Sequence, residues 1–233
     1  MLLSLFLIDL AAGLYLFLPL VGRRNAGVKF YRLVLITTGV LAFSSAIAVR
    51  WNLIPVALTL VVYFVLRYPK RLIYRASATL LAVAYLVSAV YTYQTAIRPP
   101  NIGWSIAGAL ASVALLGSVN LAMLLGHWYL VVRGMPIDPL KRLTHATLIT
   151  TITRLLLVAI ALFFAPAMFR DIFFWMRAGW GLIIPLLLYP MVWGTVRIRS
   201  TMAATGILYV EVVAVVIGEV LGGWLGRMVH LPM

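Results

Sequence analysis

Eight long apolar stretches, separated by short and mostly basic connectors, fill nearly the whole of this 233-residue chain. A hydrocarbon core of about 30 Å takes roughly 20 apolar residues per crossing helix. A chain that is 64% hydrophobic, with mean hydropathy +1.09, therefore has lipid rather than water as the solvent for most of its residues. The expected fold is all-α: a polytopic integral membrane protein of about eight transmembrane helices. The stretches run 3–21, 33–49, 52–66, 76–93, 104–132, 140–165, 172–196 and 201–226. The third is short for a crossing and reaches full length only if Arg50 and Arg67 snorkel to opposite interfaces along their aliphatic stems. Continuous rather than alternating runs exclude a barrel, and helices satisfy their own backbone groups inside lipid. Nothing suggests a soluble domain of any size.

Charge placement orients the chain. The connectors after the first, third, fifth and seventh segments hold thirteen of the nineteen lysines and arginines: Arg23, Arg24, Lys29, Arg32, then Arg67, Lys70, Arg71, Arg75, then Arg133, Lys141, Arg142, and finally Arg197 and Arg199. The opposite side holds Arg50, Arg98, Arg170 and Arg227. By the positive-inside rule the odd-numbered connectors are expected to be cytoplasmic and both termini outside, in a bacterial cytoplasmic (inner) membrane. A net charge of +14 in a water-soluble protein would suggest nucleic acid. Here the excess sits in juxtamembrane connectors and reads as topology and contact with anionic membrane lipids. The first segment lacks a basic leader and carries Asp9, so it is expected to be a retained helix, not a cleaved signal peptide. The absence of cysteine excludes a disulfide, a thiolate-ligated cluster and a cysteine nucleophile. Any redox cofactor must be held by histidine or by packing.

Short words recur along the chain. Trp51-Asn-Leu-Ile-Pro55 opens the third segment and Trp180-Gly-Leu-Ile-Ile-Pro185 lies in the seventh, and these segments end at Arg67 and Arg197, 130 residues apart. Arg71 to Thr79 aligns with Arg197 to Thr205, and Leu35 to Thr38 recurs as Leu148 to Thr151. These words point to a four-plus-four tandem repeat, with one four-helix bundle over 1–100 and a second over 101–233. Four crossings are an even number, so the halves would share one orientation about an axis along the membrane normal.

Ionisable residues inside a membrane are costly and mark either structural pairing or function. Asp9, Arg177 and Glu219 share one depth near the outer face and are expected to form a buried pair or triad. Arg154 and Glu211, near mid-membrane, are the natural second pair. In a structural reading, such charges neutralise one another and specify helix packing. In a functional reading, Glu211 or Glu219 exchanges protons, since burial penalises the charged form of a carboxyl and an unpaired one is poised for transfer.

The turn from Gly126 to Leu148 is the most specific local feature. Gly134 is expected just past the end of the fifth segment, and Asp138-Pro139 as N-cap and first residue of the sixth. His127 and His145 then lie about 10 Å into adjacent antiparallel helices, at one level. That suits two axial ligands of a single b-type haem iron, with Gly126 and Gly117 making room for a flat ring and Asn120 on roughly the same face. The same histidines suit hydrogen bonding to a quinone head, or simply the interfacial belt of Trp128 and Tyr129. His230 is expected to be solvated.

Other chemistry has no foothold here. There is no phosphate-binding glycine loop, paired-aspartate metal motif, nucleophile elbow or helix-borne lysine. Threonines of the sixth segment and glycines of the eighth read as close helix packing. Gly218-Glu219-Val220-Leu221-Gly222 lets the last helix approach a neighbour at the level of a carboxyl.

An eight-helix chain with a four-plus-four repeat and an acid-bearing last helix ending in Glu219-Val-Leu-Gly-Gly-Trp-Leu-Gly-Arg227 resembles the membrane-anchor subunits of the polysulfide reductase and dimethyl sulfoxide reductase type. The resemblance lies in architecture. It implies docking to other subunits of a membrane redox complex and exchange of electrons and protons with quinone, as in a respiratory chain. With haem on His127 and His145 the chain would instead resemble a dihistidine cytochrome b anchor. The expected function is thus an electron-transfer subunit binding haem b, quinone or both. A small-solute or lipid transporter with a site lined by Arg154, Glu211 and Arg177 is the alternative, beside a structural assembly subunit.

Overall fold

The computed structural model describes residues 1–66, 71–132 and 134–233, without the side chains of residues 71 and 72. The connector cations Arg67, Lys70 and Arg133 lie outside the described residues, as does the Arg71 side chain. The described residues form helices and no strand: α1 (Leu2–Val21), α2 (Arg23–Ala46), α3 (Leu53–Val65), α4 (Arg71–Ile97), α5 (Ile102–Val131), α6 (Asp138–Phe164), α7 (Ile172–Ala178), α8 (Ile184–Arg197) and α9 (Thr201–Val229). With α7 and α8 counted as one, seven helices are long and apolar enough to cross a membrane, and Arg50–Val65 forms a shorter apolar helix. This fits a helical, membrane-embedded protein.

Several helices outrun the apolar stretches that announce them. The basic stretch Arg23–Arg32, expected as a connector, is helical except for a kink at Gly27, where φ is 77° and ψ 170°. Hydropathy marks where lipid begins, whereas a helix needs only its own hydrogen bonds and residues such as Arg and Lys that tolerate the conformation. Helix α9 likewise continues to Val229, three residues past the apolar run. Asp138 is already the first residue of α6, with Ile137 as its cap, so the expected capping role of Asp138 shifts by one. Gly134 does take the left-handed conformation, with φ 82°.

Between α7 and α8 the chain makes a wide π-turn over Gly179–Ile183. Pro185 follows at the start of α8. Its missing N–H and its ring, which crowds the carbonyl of Gly181, account for the wider turn. Pro190 is accommodated inside α8 without a break.

Helices α1 to α4 neighbour one another in a cycle, and so do α5, α6, α8 and α9. The two cycles meet where α1 packs on α5. There Gly13 and Gly117 face each other backbone to backbone, and a Cβ at either would collide with the other's main chain. In lipid, where apolar tails offer no hydrophobic drive between helices, such close approach gains van der Waals contact. Large apolar side chains such as Ile47, Phe163, Ile198 and Met202 point outward.

Candidate functional site: a buried charge cluster beside a cavity

Glu219, on α9, is the hub of the buried charges. Arg154 of α6 donates to both carboxylate oxygens, Nε to Oε1 and Nη2 to Oε2, each at 3.1 Å. Arg177 of α7 donates from Nη2 to Oε1 at 2.6 Å, and the Ser112 hydroxyl of α5 donates to Oε2 at 2.7 Å. Arg154 Nη2 also donates to the backbone oxygen of Met233 at 3.1 Å. All four side chains are buried. Four helices are therefore tied to one carboxylate, in charge-assisted bonds that are the strong ones inside a low-dielectric interior.

The expected Arg154–Glu211 pair does not form, and Arg154 pairs with Glu219 instead. The helix ends explain the exchange. Measured from the helix ends at Phe164 and Val229, Arg154 and Glu219 each lie ten residues in, about 15 Å along the axis. Glu211 is eight residues further along α9, about 12 Å deeper. The shorter α9 expected from hydropathy had placed Glu219 too near the surface. The Arg177–Glu219 part of the expected outer set does form, at 2.6 Å.

The G-x-x-x-G segment does bring α9 close to a neighbour at the level of the Glu219 carboxyl. The backbone of Gly181 in the π-turn lies against Gly218, while a Cβ at Gly222 would sit 2.6 Å from Arg177 Nε and 2.5 Å from the Met233 oxygen. The two glycines thus cut a trough along α9 that holds a guanidinium, and the carboxylate between them receives a side chain rather than a partner backbone.

Asp9 lies at the same level but outside this bonding. It is 2% exposed, and among the described residues its Oδ1 has no hydrogen-bond partner. Arg154 Nη1 is equally buried and unpartnered, as are Arg177 Nε and Nη1. Asp9 and Arg154 line a cavity of about 340 Å³, together with Tyr93, Glu219, Gly223 and Trp224. Its rim includes Leu3, which is 69% exposed, and Val220, so the opening lies between α1 and α9 among outward-facing apolar residues. Tyr93 reaches the cavity because Gly108 of α5 leaves space for its ring. Sequence reasoning missed Tyr93 and Ser112. Ser105 and Ser112, seven apart on one face of α5, were the available signal for the second, and nothing marked the first.

Glu211 is buried at 2% exposure and has no hydrogen bond or ion pair among the described residues. The histidines lie elsewhere again. Exposed His127 has Nδ1 3.4 Å from the Tyr209 hydroxyl of α9. Exposed His145 has Nδ1 3.1 Å from the Tyr189 hydroxyl of α8, with its ring centroid 4.3 Å from that of Trp193. The space at Gly126 belongs to α9, since a Cβ there would meet Thr205 Oγ1 at 2.9 Å. Gly117 packs on Gly13, and Asn120 Nδ2 donates to the Leu116 carbonyl of its own helix at 2.8 Å. Both glycines expected to clear a slot for a flat ring are thus occupied in helix packing, and Asn120 bonds within its own helix. His230 is exposed but anchored, with Nδ1 2.8 Å from the Ile97 carbonyl oxygen.

No protein-family model matches the sequence, and neither a curated protein nor a solved structure matches the chain. The class rests on the molecule itself: an all-helical protein with long apolar helices, carrying a buried charge cluster beside an apolar-mouthed cavity.

Proposed function

We propose that this protein is a quinone-interacting membrane subunit of an electron-transfer complex, with the quinone head seated in the cavity between α1 and α9. The observation that carries the reading is the pairing of one unpartnered buried acceptor, Asp9 Oδ1, with one unpartnered buried donor, Arg154 Nη1, on the wall of a mostly apolar cavity. A buried polar atom without a partner is unfavourable by about 1–3 kcal/mol, more if charged, and both are relieved by a head that accepts at one point and donates at another. A quinone carbonyl accepts from Arg154, and a quinol hydroxyl donates to Asp9. The formal charges of Arg154, Arg177, Asp9 and Glu219 cancel, which favours a neutral occupant. Oxidation of quinol to quinone releases two protons and two electrons: Asp9 takes one proton, because both oxygens of Glu219 are already engaged and Glu211 lies two turns away, and the other leaves to the water at the membrane face. The electrons pass to a redox centre of a partner subunit.

This reading includes the finer architecture: eight crossings, basic connectors in the cytoplasm, both termini outside, and two tandem halves over 1–100 and 101–233. In its support, Trp51 and Trp180 both sit in irregular turns leading into helices with a proline in the first turn, and the first helix of each half meets the other at Gly13 and Gly117. The transporter reading is less supported. Of Arg154, Glu211 and Arg177, only Arg154 lines the cavity.

Tryptophan quenching by a short-tailed quinone, titrated into the detergent-solubilised protein, tests the proposal. Saturable quenching is expected, reduced in amplitude by Trp224→Phe, weakened at least tenfold by Asp9→Leu and abolished by Gly223→Phe, which puts a ring into the cavity and leaves every member of the ion cluster in the sequence. Equal saturable quenching in Gly223→Phe would sink the proposal and leave the assembly-subunit reading.

A further inference from the structure

A second concavity lies at the opposite end of α1, and the quinone reading does not involve it. It encloses about 570 Å³ between the end of α1, the α1–α2 junction and the start of α4. Among the described residues, two arginines line it: Arg23, whose guanidinium sits 5.9 Å from the centre of the Tyr74 ring, and Arg75, one turn before Thr79. Arg23 Nη2 donates to the Leu66 carbonyl at 3.0 Å, which holds the side chain across the cleft. The walls are pinned as well. Tyr15 donates to the Ala78 carbonyl and Tyr31 to the Leu18 carbonyl, each at 3.1 Å, tying α1 to α4 and α2 to α1.

No acid lines this cleft. The chain has only five, Asp9, Asp138, Asp171, Glu211 and Glu219, and none is among the lining residues. Two guanidiniums therefore share a concave site without a compensating carboxylate. Away from them the lining becomes apolar, through Leu16, Pro19 and Ala82, in the direction of the helix middles. Charge at the level where apolar helix gives way to basic residues, continuous with an apolar wall, is the outline of one phospholipid: an anionic head outward and an acyl chain along the helices.

We propose that this cleft is a binding site for an anionic phospholipid, with the phosphodiester between Arg23 and Arg75, the Tyr74 hydroxyl beside it, and one acyl chain against Leu16 and Ala82. Each basic side chain near an anionic lipid surface favours association by enough to change affinity severalfold. A cleft with two of them, built into fixed walls, discriminates charged from zwitterionic heads by tenfold or more.

The test is native mass spectrometry of the full chain in a neutral detergent, titrated with phosphatidylglycerol and, separately, with phosphatidylcholine of the same chain length. Phosphatidylglycerol is expected to give the first adduct at tenfold or more lower concentration. The double variant Arg23→Gln, Arg75→Gln loses that preference, whereas Arg197→Gln, Arg199→Gln, at the same end of the helices but remote from the cleft, keeps it. Ala82→Phe, which obstructs the acyl wall and leaves both arginines in place, also loses it. Equal affinity for the two lipids overturns the proposal. So does an equal loss in the Arg197, Arg199 control, which means diffuse charge, or displacement by millimolar inorganic phosphate, which means a soluble anion. Arg23 and Arg75 are exposed, so unchanged unfolding midpoints in their variants separate lost binding from lost fold.

Discussion

A single carboxylate, Glu219, is the ion-pair partner of two buried guanidiniums. Removing its charge leaves Arg154 and Arg177 buried beside each other, and breaking a buried ion pair by removing one partner typically destabilises by about 3–5 kcal/mol. Glu219→Gln should therefore lower the thermal unfolding midpoint in detergent sharply. Asp9→Asn should leave the midpoint within a few degrees of the parent, since Asp9 donates to and accepts from nothing in the described structure. Equal loss in both variants would mean that Asp9 carries structural charge balance and would count against its role at the quinone. The identity of these charges was legible in the sequence, because an acid or arginine within an apolar run stands out. Their partners were not. Arg154 lies 65 positions from Glu219 and Ser112 lies 107 from it, so only the packing of α5, α6 and α9 brings them to one point.

Glycine placement decides how close the helices come. Gly13 and Gly117 meet on the α1–α5 seam, while Gly194 and Gly206 have nothing within 4 Å of an added Cβ. Gly117→Leu should prise the two cycles of helices apart and shift the protein toward aggregation on size-exclusion chromatography. Gly206→Ala should be neutral or stabilising by about 0.5–1 kcal/mol, the usual gain from alanine in a helix interior. If both variants behave alike, the seam does not depend on backbone contact. The glycine-rich stretch of α9 was visible as a motif, but its use was not. A G-x-x-x-G pattern says that something comes close, and in this fold it is the π-turn at Gly181 and the side chain of Arg177. The π-turn follows from a local rule, since a proline such as Pro185 removes a helix hydrogen bond and crowds the turn before it, which is where the turn lies.

At the scale of the whole molecule, the basic connectors predict which end of the helices faces the cytoplasm, and the absence of native cysteine makes this easy to read. A membrane-impermeant maleimide on intact cells should label Phe169→Cys, in the turn between α6 and α7, and should reach Ile198→Cys, at the end of α8, only after permeabilisation. The reverse pattern would overturn the orientation and move the quinone cavity to the cytoplasmic half. The all-helical class and the approximate positions of the helices were readable from the amino-acid order alone. Both follow from the local balance of apolar and polar residues against a lipid solvent, which acts along one segment at a time. That Arg154 belongs to Glu219 and not Glu211, that Asp9 is left facing a cavity, and that the room at Gly126 is filled by α9 became visible in the packed fold alone. Those outcomes depend on rotation, depth and crossing of helices whose contacting residues are 65 or more positions apart in the chain, which one helix's periodicity does not encode.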